Sequence, residues 1–275
     1  MSAKIPLPNN LPCPPLEFDI LDLFCGGSFP INDKLVIRQP TIGEIRAFGE
    51  RKYFHAVQTL CRIPSDIKYE LDQIGKNYME IPDFELFFLL TRDMTPDDTR
   101  LFLGDIDLSR LEPGIRESNQ DLVLVDPEHG LVIDRMLYTK LATTLRRMHG
   151  FEYKPEYATN KYTLRALIED AKFKHERAKL ERKPYQSYLG QMVISLVCTE
   201  EFKYSSKTIQ DIGICELVIS YQQICKKKNA LALLQGSYSG MIDVSKIDKS
   251  RFSWIFESSY LDSPPPPPEQ PSSTS

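Results

Sequence analysis

The sequence has no apolar run of the length that crosses a bilayer. Its two most apolar stretches, Phe84 to Leu90 and Met192 to Cys198, are seven residues long, against the roughly 18 or more that a spanning helix needs. No membrane association is expected. The first 18 residues, MSAKIPLPNNLPCPPLEF, carry one lysine and five prolines, so no charged and then apolar secretory leader can form. Excess positive charge is also missing. A net charge of -4 and an isoelectric point near 5.7 give no global field for phosphate, and nucleic-acid binding is not expected.

Metal and nucleophile patterns are absent as well. The six cysteines include no CxxC pair and read as free thiols of a reducing compartment. The four histidines, His55, His129, His149 and His175, stand far apart with no HExxH. Asp105-Ile-Asp107-Leu-Ser109 opens like a calcium loop, but Arg110 stands where the loop needs glycine and Arg116 where it needs glutamate. Gly75-Lys76 lacks the rest of a phosphate loop, and no GxGxxG occurs. Gly236-Ser-Tyr-Ser-Gly240 has tyrosine where a nucleophile elbow has serine or cysteine, and reads as a turn. No cofactor, metal or catalytic residue is expected.

What is present describes an ordinary globular chain. With 275 residues, 41% hydrophobic and 26% charged, it buries about three quarters of its unfolded surface without disulfides. Residues 1–33 read as an extended arm or short strand. KLVIRQ, residues 34–39, reads as a strand ended by Pro40. Thr41 with Glu44 has capping-box spacing and predicts a helix running to about Leu60. A second short helix is expected over Ser65–Ile74, and a core helix with Pro82 in its first turn. From Asp93 to Asp134 eleven acidic residues face three arginines. Within that segment Leu122–Val125 and Leu131–Ile133 flank DPEHG as a hairpin. Asp134 predicts the start of a helix over Arg135–His149 that stops at Gly150.

Lys161 to Lys183 carries eight Lys/Arg and four Asp/Glu. Its apolar stripe, led by Leu164, Leu167, Ile168 and Ala171, has the i, i+3, i+4, i+7 spacing of an amphipathic helix, read here as an exposed linker between two lobes. Two further helical patterns cover Tyr188–Cys198 and Thr208 to about Leu234. A short helix is expected near Val244-Ser245, and the Pro-rich end from Ser263 reads as an unfolded tail.

The stretches KLVIRQPTIGEIRAFGE, IPDFELFFLL, KPYQSYLGQMVISLVC and LLQGSYSGMIDVSKIDKSRFSWI, in this order, resemble a group of proteins encoded beside the tail genes of tailed phages and prophages of Gram-positive gut bacteria, which look like tail-assembly chaperones. The resemblance spans residues 34–258. It implies a non-enzymatic protein of the infected host's cytoplasm that binds the tape-measure protein, or other phage tail proteins, during tail assembly, with self-association as a further property. A structural protein of the tail or baseplate, retained in the virion, is the alternative, and a host-directed enzyme or inhibitor a third.

The expected fold is α+β and predominantly α-helical. Its expected divisions are an N-terminal arm (1–33), an α+β lobe with a small β element and hairpin (34–155), a charged linker helix (156–187), a helical lobe (188–262) and a tail (263–275). Candidate partner-binding residues are Leu164, Leu167, Ile168 and Ala171 on the linker and Phe252 and Trp254 near the end. Trp254 reads either as the cap of the C-terminal lobe, in which case it is more than about four fifths buried, or as an exposed client-binding aromatic.

Overall fold

The computed structural model describes residues 20–116, 120–181, 184–239 and 247–255. It is α+β and predominantly helical, with ten α-helices and two small antiparallel sheets among the described residues. Of the expected arm, residues 1–19 lie outside the described part, and Ile20–Phe24 form helix α1 rather than extended chain, with Leu23 buried. Phe29–Pro30 (β1) and Val36–Ile37 (β2) pair in a hairpin. Its turn is held by the Asn32 carboxamide oxygen, which accepts from the amides of Lys34 and Leu35 at 2.9 and 2.6 Å. The strand expected over residues 34–39 is therefore only two residues long. The Arg38 amide instead donates to the Phe102 carbonyl at 2.8 Å, and Gln39 turns into the core.

The Thr41 capping box forms: the Glu44 amide donates to the Thr41 hydroxyl at 3.2 Å, and the Thr41 amide to the Glu44 carboxylate at 2.8 Å. The helix it opens does not run to Leu60. Gly49, at φ +104°, breaks it into α2 (Ile42–Phe48) and α3 (Glu50–Cys61), a left-handed backbone region that glycine enters without penalty. Ser65–Ile74 is likewise divided into a 3₁₀ turn, Pro64–Ile67, and α4, Lys68–Gln73. Pro82 is the residue before α5 (Asp83–Thr91) rather than its first residue, and Leu89 is 53% exposed although Phe84, Leu86 and Phe87 are buried.

The acidic segment contains a helix that the composition concealed, α6 (Pro96–Leu103), opened by a Thr95–Asp98 capping box. It also contains a three-stranded sheet, β3 (Glu112–Ile115), β4 (Leu122–Asp126) and β5 (Leu131–Ile133), in that spatial order. The expected hairpin is β4–β5. It leads into α7 (Arg135–His149), which has the expected limits: the Asp134 carboxylate accepts from the Leu137 amide at 2.8 Å, and Gly150 is left-handed at φ +68°.

The charged helix, α8 (Lys161–Glu181), has no fully buried residue and lies along α4. It is followed by α9 (Tyr188–Val197) and α10 (Ile214–Tyr238). Gly236 to Tyr238 belong to α10, so the expected turn is helix there. Gly240, the helix expected near Val244-Ser245, and the Pro-rich tail lie outside the described residues.

One buried cluster takes Ile45, Phe54, Phe87 and Leu145 from the chain before α8 and Leu196, Leu217 and Val218 from the chain after it. α8 therefore stands beside a shared core. Glu50 helps to join the halves: its carboxylate accepts from the Ser187 hydroxyl at 2.5 Å and the Leu189 amide at 2.9 Å, which seats the start of α9 on α3.

Candidate functional site

The six residues selected from sequence fall into two groups on different helices. Leu164 and Ile168 of α8 pack, half-buried, onto a satellite cluster of Leu71, Tyr78 and Met79. Their role is to fasten α8 to α4. Leu167 and Ala171 are also half-buried but lie outside that cluster. Truncation should separate these positions. Leu164→Ala should cost about 1–2 kcal/mol, below the range of a fully buried leucine, while Leu167→Ala should cost less than Leu164→Ala, as read by urea denaturation of both variants.

Phe252 and Trp254 lie at the other helix. Phe252 ends a 3₁₀ turn, Lys249–Phe252, that packs on α10 and is partly buried. Trp254 is 45% exposed, so it is not the buried cap of a lobe. Its carbonyl accepts from the Gln223 carboxamide, and the Lys227 ammonium lies 5.5 Å from the centre of its indole ring. The indole is thus held against α10 with nearly half of its surface in solvent.

Beside it α10 forms one wall of an apolar groove of about 560 Å³. Leu21 and Phe24 of α1 form the opposite wall, Phe202 and Tyr204 close one end, and Ile219 and Ile224 belong to α10. Gln223 lines the groove and also donates to the Trp254 backbone carbonyl, so the segment carrying the indole is tied to the same helix that walls the groove. Its two carboxylates are occupied internally: the Tyr204 hydroxyl donates to Glu216 at 2.5 Å, and Lys228 lies 4.0 Å from Glu201. Lys203 also stands at its edge, and the rest of the lining is mainly hydrocarbon. Sequence reasoning missed this groove because its walls are almost 200 residues apart and α1 reads as arm; the one available signal was the Ile20–Phe24 apolar spacing.

Two sets of buried polar groups among the described residues are engaged with the core. Tyr53 and His149 share a 2.6 Å hydrogen bond inside the aromatic core, with Phe54 and Phe102 against Tyr53. Arg146 donates from Nε and Nη2 to the Cys61 carbonyl at 3.2 and 2.6 Å, with its guanidinium 4.8 Å from the Tyr153 ring. Burial pushes the Cys61 thiol up to about 12, so it stays protonated and unreactive despite the neighbouring guanidinium. Cys215 is raised to about 12 by burial too. The five described cysteines are unpaired, and Cys25 and Cys198 are exposed. Among the described residues no group of three His, Cys, Asp or Glu side chains is arranged to hold a metal ion, and no helix is long and apolar enough to cross a membrane.

No family model, no curated protein and no solved structure matches the chain.

Proposed function

We propose that the protein is a non-enzymatic binding protein that receives the apolar face of a helical client in the groove between α1 and α10, with Trp254 as an anchor beside it, and that it acts in the host cytoplasm as a tail-assembly chaperone for a phage tape-measure protein. The observation that carries the binding reading is the open apolar groove lined by Leu21, Phe24, Ile219 and Ile224, with the 45%-exposed Trp254 held on the same helix α10. An amphipathic helix supplies two or three apolar side chains along one stripe, which suits a groove of this volume and polarity. A charged or extended polar peptide does not suit it, since Glu201 and Glu216 already have partners within the protein. The tape-measure assignment comes from the resemblance of residues 34–258 and adds the identity of the client.

Leu21 is 64% exposed, so Leu21→Asp should leave the melting temperature near wild type, as surface changes do. The variant, and Trp254→Ala with it, should let the tape-measure protein aggregate on co-expression, whereas the wild type keeps it soluble. Full protection by both variants would remove the groove from the mechanism. Mass spectrometry of purified virions separates the two tail roles: a stoichiometric amount of this chain in mature tails would overturn the chaperone reading in favour of a structural component.

A further inference from the structure

Helix α8 carries large apolar side chains on a face turned away from α4. Tyr162 is 86% exposed, Phe173 64% and Leu180 83%. Single exposed apolar residues are ordinary on a protein surface. These three belong to one helix, and at about 100° per residue their spacings bring them within about 20° of one line. From Tyr162 to Leu180 that line runs about 27 Å at 1.5 Å per residue. The residues that fasten α8 lie elsewhere. Leu164 and Ile168 pack on the Leu71–Tyr78–Met79 cluster and His175 lies 3.6 Å from Glu70, and each is turned by about 120° or more from the line. A surface helix needs one apolar stripe to hold it on its core. α8 has a second, and it stands in solvent.

The charges beside this line decide what can cover it. Asp170 pairs with Lys174 and Arg177 with Glu181 inside the helix. Glu169, Lys172, Glu176 and Lys179 make no ion pair among the described residues, and all four lie on one flank of the line, the two carboxylates nearest to it. A second copy of α8 laid parallel would set each carboxylate against its own counterpart, which repels. Laid antiparallel about a two-fold axis at Phe173, the helices bring a residue some places after Phe173 opposite one the same number before it. Phe173 then meets Phe173 of the other copy, and Leu180 lies over the small Ala166. The same flank of each helix faces its counterpart, and Glu176 comes within about 3 Å along the axis of the partner's Lys172, as Glu169 does of the partner's Lys179. The apolar line and the unpaired charges are satisfied together.

We propose that α8 is a self-association element, its Tyr162–Phe173–Leu180 line packing antiparallel on the same line of a second copy of this chain. One helix pair covers less than a standard interface, so the dimer is weak and forms at micromolar concentrations. The line is on α8 and the groove lies between α1 and α10, so this inference does not depend on the client-binding reading.

The test is sedimentation equilibrium of the full chain from about 1 to about 100 µM, the range in which a micromolar dimer assembles. The wild type should pass from monomer to dimer. Phe173→Asp puts two carboxylates on the axis and should raise the dissociation constant at least about tenfold, with the melting temperature of the monomer near wild type, as for an exposed position. Leu180→Asp, in the last turn of the helix, should weaken the dimer in the same way. Glu176→Lys should weaken it several-fold by facing the partner's Lys172, and adding Lys172→Glu should recover the loss. The proposal is overturned if the wild type stays monomeric over this range, if both aspartate variants dimerise as the wild type does, or if the double charge variant associates no better than Glu176→Lys alone.

Discussion

Lowering the pH from 7 to 4 should remove about 3 kcal/mol of stability through one residue, His149. Its ring is fully buried, Nδ1 lies 2.7 Å from the Leu145 carbonyl and Nε2 2.6 Å from the Tyr53 hydroxyl. A carbonyl can only accept, so Nδ1 carries the proton and donates. Nε2 is then the acceptor, and Tyr53 donates to it. A second ring proton would have to displace the Tyr53 hydrogen and place a charge in the aromatic core. Burial accordingly lowers His149 to about 4, the Leu145 hydrogen bond opposing only in part. In the unfolded chain histidine titrates near 6.5. Between these values the unfolded state holds the extra proton, so stability falls as pH falls, and the loss is complete near pH 4. The shift of about 2.5 units, at 1.36 kcal/mol per unit, gives about 3 kcal/mol.

Carboxylates act in a lower window. At Asp126 burial pushes upward, but hydrogen bonds from His129 and the Glu128 amide outweigh it and hold the group below its usual range. Its contribution is present above about pH 4 and is lost below that. Urea denaturation between pH 7 and 4.5 therefore isolates the histidine. The control is Tyr53→Phe with His149→Phe, which replaces the polar pair by rings in the cluster of Phe54, Phe102 and Phe151. It should flatten the pH dependence across that range. An equal slope in wild type and double variant would mean that His149 does not remain neutral in the folded protein.

How far such features could be read from sequence depended on whether their cause was local. α7 was legible at both ends because Asp134 and Gly150 each act within one helical turn. The β4–β5 hairpin was legible because two β-branched runs flank a loop with Pro127 and Gly130. β3 was not, since Pro113 and Gly114 stand in its middle; Gly114 pairs with Val123, and the strand exists because β4 provides the ladder. GSYSG misled in the opposite direction, its composition arguing for a turn where α10 continues to Tyr238.

The candidate site divides along the same line. The stripe of α8 was visible as a periodicity, but its partner, the Leu71–Tyr78–Met79 cluster, was not, so a fastening face was read as a linker. Trp254 stood out as the single tryptophan, and its exposure required the structure. The groove is made by segments distant in sequence, and no spacing rule reaches it.

The junction of the two halves gives the second large effect. Gly213 should not tolerate even a methyl group, although its φ of -71° suits any residue. The obstacle is Gln39: a Cβ on residue 213 would fall 2.0 Å from the Gln39 carboxamide oxygen and 2.7 Å from Cδ. Gln39 is 6% exposed, donates to the Leu23 carbonyl at 2.8 Å and accepts from the Cys215 amide at 3.2 Å. It thereby links α1, β2 and the start of α10, alongside the Ile42 amide on the Ile212 carbonyl and the Ile214 amide on the Pro40 carbonyl, each 3.0 Å. Gly213→Ala must push the carboxamide away and leave the Cys215 N–H and Leu23 carbonyl short of partners, at about 1–3 kcal/mol for each buried group. We expect a loss of about 3 kcal/mol, well above the roughly 1 kcal/mol that separates glycine from alanine at a helix N-cap. Gln39→Ala should cost a similar amount by the same route. Once the carboxamide is gone the added methyl has nothing to strike, so the double variant should be little worse than Gln39→Ala alone. The cycle measured by urea denaturation should then show a coupling of about 2 kcal/mol or more. Additive losses would mean that Gly213 is required for a reason other than the space Gln39 fills.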